Sequence, residues 1–165
     1  YVMDGKELLK VIEKGESERV EFKKSTAQME RALKAMCSFL NHKGGAVYFG
    51  VSDNGDIVGQ DVSDSTLKSI SQKVRQKIKP EVCPRINVLE AGGKKVVEVA
   101  VAKGTNKPYY LDGIAYNRAG SESPVIAPEE VNKKLLKKTG KGPETYYVLA
   151  RFGEIWRDKG KRKYL

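Results

Sequence analysis

A chain of 165 residues, 39% apolar and 32% charged, is long enough to bury one core without disulfides or a structural metal, and its composition excludes disordered and membrane-embedded classes. The formal charge of +10, from 31 Lys and Arg against 21 Asp and Glu, favours polyanionic partners and speeds encounter with them. No run approaches the roughly 20 apolar residues of a membrane helix, and Tyr1-Val2-Met3-Asp4 lacks the features of a signal peptide, so no membrane association and a cytoplasmic location are expected.

Cys37 and Cys83 have no zinc-site or redox-pair spacing and read as packing thiols. The single histidine, His42, excludes a mechanism that needs two imidazoles as acid and base. More than half of the positive surplus lies after Ile126, so basicity is concentrated toward the tail.

Asp4 caps a first helix that runs to Lys14 and stops at Gly15, with Leu8, Leu9, Val11 and Ile12 as its apolar side. Arg19-Val20-Glu21-Phe22-Lys23 alternates with period two, which predicts a strand with Val20 and Phe22 inward and Glu21 outward. Leu33, Met36, Cys37 and Leu40 mark a helix within 27–42, followed by Gly44-Gly45 where a left-handed cap is wanted. The apolar run Ala46 to Val51 reads as a central strand buried on both faces, and Asn54-Gly55 turns the chain back toward Ile57 and Val58.

A third helix is expected over Ser65 to Lys79, with Leu67, Ile70, Val74 and Ile78 on one stripe, Lys68, Lys73, Arg75, Lys77 and Lys79 elsewhere, and no acid. Pro80 ends it. Two hairpins follow, Arg85–Ala91 with Lys95–Ala102 across Gly92-Gly93, and Tyr109–Leu111 with Ile114–Tyr116 across Asp112-Gly113. Pro128-Glu129-Glu130 opens a last helix of the main body, and that domain is taken to end at residue 139. Residues 140–165 then read as a linker and a basic amphipathic helix bearing Tyr146, Leu149, Phe152, Ile155 and Trp156, with Lys159, Lys161, Arg162 and Lys163 at its end.

The motifs Glu16-Ser17-Glu18-Arg19-Val20-Glu21-Phe22-Lys23, Phe39-Leu40-Asn41-His42-Lys43-Gly44-Gly45 and Gly50-Val51-Ser52-Asp53-Asn54-Gly55 with Val58-Gly59 stand in a distinctive order. With the later Lys107-Pro108-Tyr109-Tyr110 and Tyr116-Asn117-Arg118-Ala119-Gly120-Ser121, this set closely resembles the Schlafen-type AlbA-like domain over about Leu8 to Leu136. The resemblance implies an α/β fold, a mixed and largely antiparallel sheet with flanking helices, used for DNA or RNA binding.

In animal Schlafens the domain can be a metal-dependent endoribonuclease acting on transfer RNA. Its pattern of two glutamates and a later aspartate maps here to Glu16, Glu21 and Asp53 as catalytic residues and as ligands of Mg²⁺ or Mn²⁺. Phosphodiester hydrolysis suits a hard divalent ion on carboxylate oxygens, and pairing of the two strands would bring the trio to one sheet end. Each acid also has an ordinary reading: Glu16 beside a helix end, Glu21 paired with Lys23 or Arg19, Asp53 opening a turn. Animal Schlafens embrace substrate between two related lobes, so this single copy would need a homodimer to rebuild that clamp. No Gly-x-x-x-x-Gly-Lys-Ser/Thr loop occurs, and ATP is not expected as a cofactor.

For binding, Lys23, Lys24, Arg75, Lys77, Lys107 and Arg118 are the candidate phosphate contacts and Tyr109 or Tyr110 a stacking platform. Three readings stay open: a nucleic-acid-binding domain that is also a Mg²⁺- or Mn²⁺-dependent nuclease, a non-catalytic DNA-binding module of a transcriptional regulator, and a protein-interaction domain with incidental basicity.

Overall fold

The structure, a computed structural model, describes residues 3–139, 146–149, 155–157 and 162–163. The chain divides into two compact units, residues 1–125 and 126–165. The first holds helices α1 (Gly5–Lys14), α2 (Met29–Asn41) and α3 (Asp64–Lys77) and strands β1 (Val20–Lys23), β2 (Gly45–Phe49), β3 (Ile78–Lys79), β4 (Arg85–Ala91), β5 (Lys94–Val101) and β6 (Tyr110–Leu111). No described helix is long and apolar enough to cross a membrane.

The main sheet runs β1-β2-β5-β4. Its first pair is parallel, in the register Val20 opposite Ala46 to Lys23 opposite Phe49, and the other two pairs are antiparallel. Strand β2 is therefore central, as its unbroken apolar run demands. Two cores result, one on each face. Val47, Phe49, Val97, Val99 and Val101 pack with α2 and α3 on one side. Phe22, Tyr48, Leu89, Ala91 and Val96 pack with Leu8, Val11 and Ile12 of α1 on the other.

The capping box at Asp4 forms as its sequence requires, with Glu7 N–H donating to the Asp4 carboxylate at 2.9 Å and Glu7 accepting from Asp4 N–H. Gly44, at φ 79°, closes α2 through N–H to Phe39 O at 2.8 Å. A Cβ there would lie 2.8 Å from Val101 O, so the position admits glycine alone without a backbone shift. From Met29 to Leu40, only Glu30, Arg31 and Lys34 of α2 are exposed. Its polar display is thus confined to its first turns.

One expectation is corrected here. Glu21 does not face solvent, because helices cover both faces of the sheet. Opposite Glu21 in the register stands Val47, which packs toward α2, so Glu21 lies on the α2 side while Phe22 faces α1. Period-two alternation told apart two faces but not wet from dry.

In the second unit, α4 (Pro128–Leu135) leads into β7 (Leu136–Thr139), and β7, β8 (Tyr146–Leu149), β9 (Ile155–Arg157) and β10 (Arg162–Lys163) each pair with the next in chain order. The amphipathic tail helix is therefore overturned, since Tyr146, Leu149, Ile155 and Trp156 sit in short antiparallel strands. Tyr-Tyr-Val and Ile-Trp are β-branched and aromatic clusters, and strand pairing, β8 with β7 and β9 with β8, outweighs their helical spacing. Phe152 and the linker 140–145 lie outside the described residues. The sequence reading divided the chain after residue 139; in the structure α4 and β7 belong with the segment that follows them.

Candidate functional site

A cleft of about 360 Å³ opens on the α2 side of β1, lined by Glu16, Glu21, Lys23, Arg31, Lys34, Asp53, Ser121 and Ser123. Four local features assemble it. Glu16 follows the Gly15 end of α1, and its Oε1 accepts from Phe22 N–H at 2.9 Å, which ties the helix exit to β1. Parallel pairing then sets the ends of β1 and β2 side by side. The turn after β2 is fixed by Gly55 N–H to Ser52 O and by Asp56 N–H to Ser52 Oγ, and it presents an exposed Asp53. Finally, Ala119 and Glu122 exchange backbone hydrogen bonds across a tight reversal that brings Ser121 and Ser123 over β1.

Glu21 is held from both sides. Lys23 Nζ donates to its Oε1 at 2.6 Å and Arg118 Nη2 to its Oε2 at 2.8 Å, and the Glu21 side chain is only 14% exposed. Arg118 itself is buried and bonded to Ser17 O at 2.8 Å, Val20 O at 3.3 Å and Ser123 Oγ at 3.0 Å, with its guanidinium 4.8 Å from the Phe39 ring centroid. Its Nε lacks a partner among the described residues. Such a group braces the β1 entrance. Buried ion pairs of this kind fix geometry more surely than they add stability.

The three acids therefore share one cleft but do not form a set that fits a divalent ion. Both oxygens of Glu21 are committed to cations, one oxygen of Glu16 is committed to a backbone amide, and no group of three or more acids, His or Cys among the described residues is placed to hold a metal. Hard cations need carboxylates whose lone pairs are free to point at the ion.

The expected binding residues are distributed differently. Lys24 is exposed. Lys23 is buried against Glu21 and Phe22 O, and Tyr109 is 5% exposed, so neither offers a free surface. Arg118, likewise buried, offers no free guanidinium to a phosphate. Lys107 donates to His42 O at 2.6 Å, and Tyr110 is half-buried beside Tyr109. Arg75 pairs with Glu81 and Lys77 with Glu30; the hydrogen bond to the acid raises each cation's pKa above its ordinary value. Sequence reasoning missed Arg31 and Lys34, both exposed at the cleft, with Lys34 Nζ 5.1 Å from the Tyr116 ring centroid. Their spacing of three on a helix buried elsewhere was the available signal.

The family model described as Schlafen, AlbA_2 matches residues 16–127. The chain belongs to this Schlafen AlbA_2 family. No curated protein matches it. Among solved structures, the N-terminal domain of a protein described as ATP-dependent DNA helicase RecG-related, from Nitrosomonas europaea, is 26% identical with a TM-score of 0.55, over 73% of this chain and 92% of that domain. The DIP2311 protein from Corynebacterium diphtheriae is 16% identical with a TM-score of 0.60 over 75% of this chain, a likeness of fold. This chain spans 26% of the DIP2311 protein's length. The mixed, mostly antiparallel sheet with flanking helices is the shared architecture.

Proposed function

We propose that residues 16–127 form a nucleic-acid-binding domain that seats a backbone phosphate in the cleft between β1, α2 and the Ser121–Ser123 turn. The observation that carries this reading is the convergence of Arg31 and Lys34, exposed and without an ion pair among the described residues, with the hydroxyls of Ser121 and Ser123. Cations and hydroxyls are the groups that hold phosphate oxygens, and an exposed cation adds affinity by releasing counterions. The overall charge of +10 and a relative described as a DNA helicase-related protein point the same way. In this reading Glu21, Lys23 and Arg118 shape the cleft wall and do not touch the ligand.

Cleavage is the second reading, favoured by one observation, the meeting of Glu16, Glu21 and Asp53 in that cleft. It would make the domain a Mg²⁺- or Mn²⁺-dependent endonuclease on transfer RNA or another structured nucleic acid, and it requires Glu21 to leave both of its cationic partners. A homodimer would supply the second lobe such an enzyme needs.

Fluorescence anisotropy with labelled single- and double-stranded oligonucleotides at 50 and 200 mM salt tests the binding reading. Affinity for two to three phosphate contacts should fall on the order of 10–50-fold across that range. Absence of binding at low salt would leave a protein-interaction domain. Parallel incubation of transfer RNA with Mn²⁺ should return intact RNA; discrete fragments lost in Glu21→Gln would establish the enzyme instead.

A further inference from the structure

A second groove, of about 400 Å³, lies between the start of α2 and α3, lined by Thr26, Met29, Ser65, Thr66, Ser69, Ile70 and Lys73. Its chemistry differs from that of the cleft and from that of the larger cavity beside Val58–Ser63, which includes Asp61. No carboxylate lines it. Four hydroxyls and one ammonium surround a floor of Met29 and Ile70, both nearly fully buried. Lys73 is exposed and makes no ion pair among the described residues, and neither Thr26 Oγ1 nor Ser69 Oγ is held by a hydrogen bond there.

We propose that this groove is a second contact site for the same nucleic-acid strand, gripping sugar and phosphate on the far side of the first turn of α2. The inference rests on the binding reading given above. Met29 lines the groove and Arg31 the cleft, and two helical residues differ by about 200° around the axis, so the two sites flank α2. The separation is roughly one helix diameter, about 10–12 Å. On a duplex, at about 3.4 Å of axis per phosphate of one strand, that distance corresponds to about three phosphates, and an extended single strand spans it with fewer. The acid on this turn, Glu30, is already paired with Lys77 at 2.8 Å, so a strand crossing the turn meets a neutralised carboxylate. Exposed Lys24, just before the turn that carries Thr26, adds a cation to that crossing.

Charge complementarity and adjacency to the cleft select the occupant. A protein partner would find no carboxylate lining the groove and no extended apolar surface, whereas a sugar-phosphate segment finds donors for its oxygens and an apolar floor for a ribose or base edge.

The test measures salt dependence of binding for the intact chain and three variants, with a labelled 12-nucleotide strand as the probe. Lys73→Glu should lower affinity at least tenfold at 50 mM salt and reduce the slope of log affinity against log salt by about 0.7 to 0.9, the loss of one phosphate contact. Ser69→Glu, which places a carboxylate in the groove without removing a cation, should weaken binding by a similar factor. Lys6→Glu, on exposed α1 across the sheet, reports the generic cost of reversing one charge and should change affinity less than threefold. All four proteins should melt within a few degrees of one another, since the substituted positions are solvent-accessible. If wild type binds and the two groove variants match Lys6→Glu, the second site is wrong and the binding reading stands without it. If wild type does not bind, the binding reading itself has failed.

Discussion

Arg118 Nη2 lies 2.8 Å from Glu21 Oε2, and this bond joins β1 to a turn 97 residues later in the chain. The same guanidinium takes two β1-flanking carbonyls, so one side chain closes the main sheet's first strand against the last loop of the unit. Arg118→Ala should destabilise the protein by about 3–5 kcal/mol, because it strips a buried carboxylate of a partner and leaves carbonyls unmet. Arg118→Ala with Glu21→Gln should recover part of that loss. Urea unfolding of the two singles and the double measures the coupling; additive losses would mean that the pair does not interact.

Arg31 and Lys34 predict the opposite separation of effects. Both are exposed, with Glu30, on a helix that is otherwise largely buried, so Arg31→Ala and Lys34→Ala should leave stability within about 0.5 kcal/mol. Each should weaken nucleic-acid binding and lower the salt slope by about 0.7 to 0.9. Gel shifts and thermal melts on the same preparations check both halves. A variant that melts early and binds normally would assign these side chains to the fold.

The elements that were legible in the sequence are those whose signal is local. The Asp4 cap, the Gly44 stop and the Gly92-Gly93 hairpin each carry their cause within a few residues, and each occurs where expected. What could not be read was pairing across long separations. Nothing near Arg118 marks Glu21 as its partner, and a charged strand residue between two apolar neighbours reads as solvent-facing until the helix above it is known. Lys107 and Tyr109 escaped for the same reason, since Asn41 and His42, more than 60 residues earlier, hold them. The tail failed differently: its apolar residues satisfy a helical period, but strand partners within residues 136–163 decide the outcome.

Asn41 gives the clearest test of that long-range wiring. Its Nδ2 donates to Tyr109 O at 2.9 Å and Tyr116 O at 2.8 Å, and its Oδ1 accepts from Tyr109 N–H at 2.7 Å. One amide thus pins the segments at Tyr109 and Tyr116 to the end of α2. Asn41→Leu keeps the volume but removes a partner from three backbone groups, of which Tyr109 O retains only the Cys37 thiol at 3.4 Å, at about 1 kcal/mol or more each. We expect a loss of about 3 kcal/mol in urea unfolding and faster hydrogen exchange at Tyr109. Unchanged exchange there would show that the Tyr109 segment holds without the amide.

The cysteines supply a prediction in pH. Burial pushes the Cys37 thiol up from an ordinary 9.0 to about 11, whereas Cys83 is exposed. A thiol raised in the folded state contributes its full stability below about pH 9. As pH climbs further the unfolded chain loses its proton first, so that contribution declines and is gone once pH passes about 11. The decline should total on the order of 2 kcal/mol, and Tyr48, pushed up by burial and then by Glu98 beside it, adds to it in the same direction. Urea midpoints at pH 8, 9, 10 and 11 should fall steadily in wild type and less steeply in Cys37→Ala. Iodoacetamide at pH 8 should modify Cys83 at once and Cys37 only on unfolding. Equal rates at the two thiols would contradict the burial of α2 between the sheet and α3, on which the display of Arg31 and Lys34 depends.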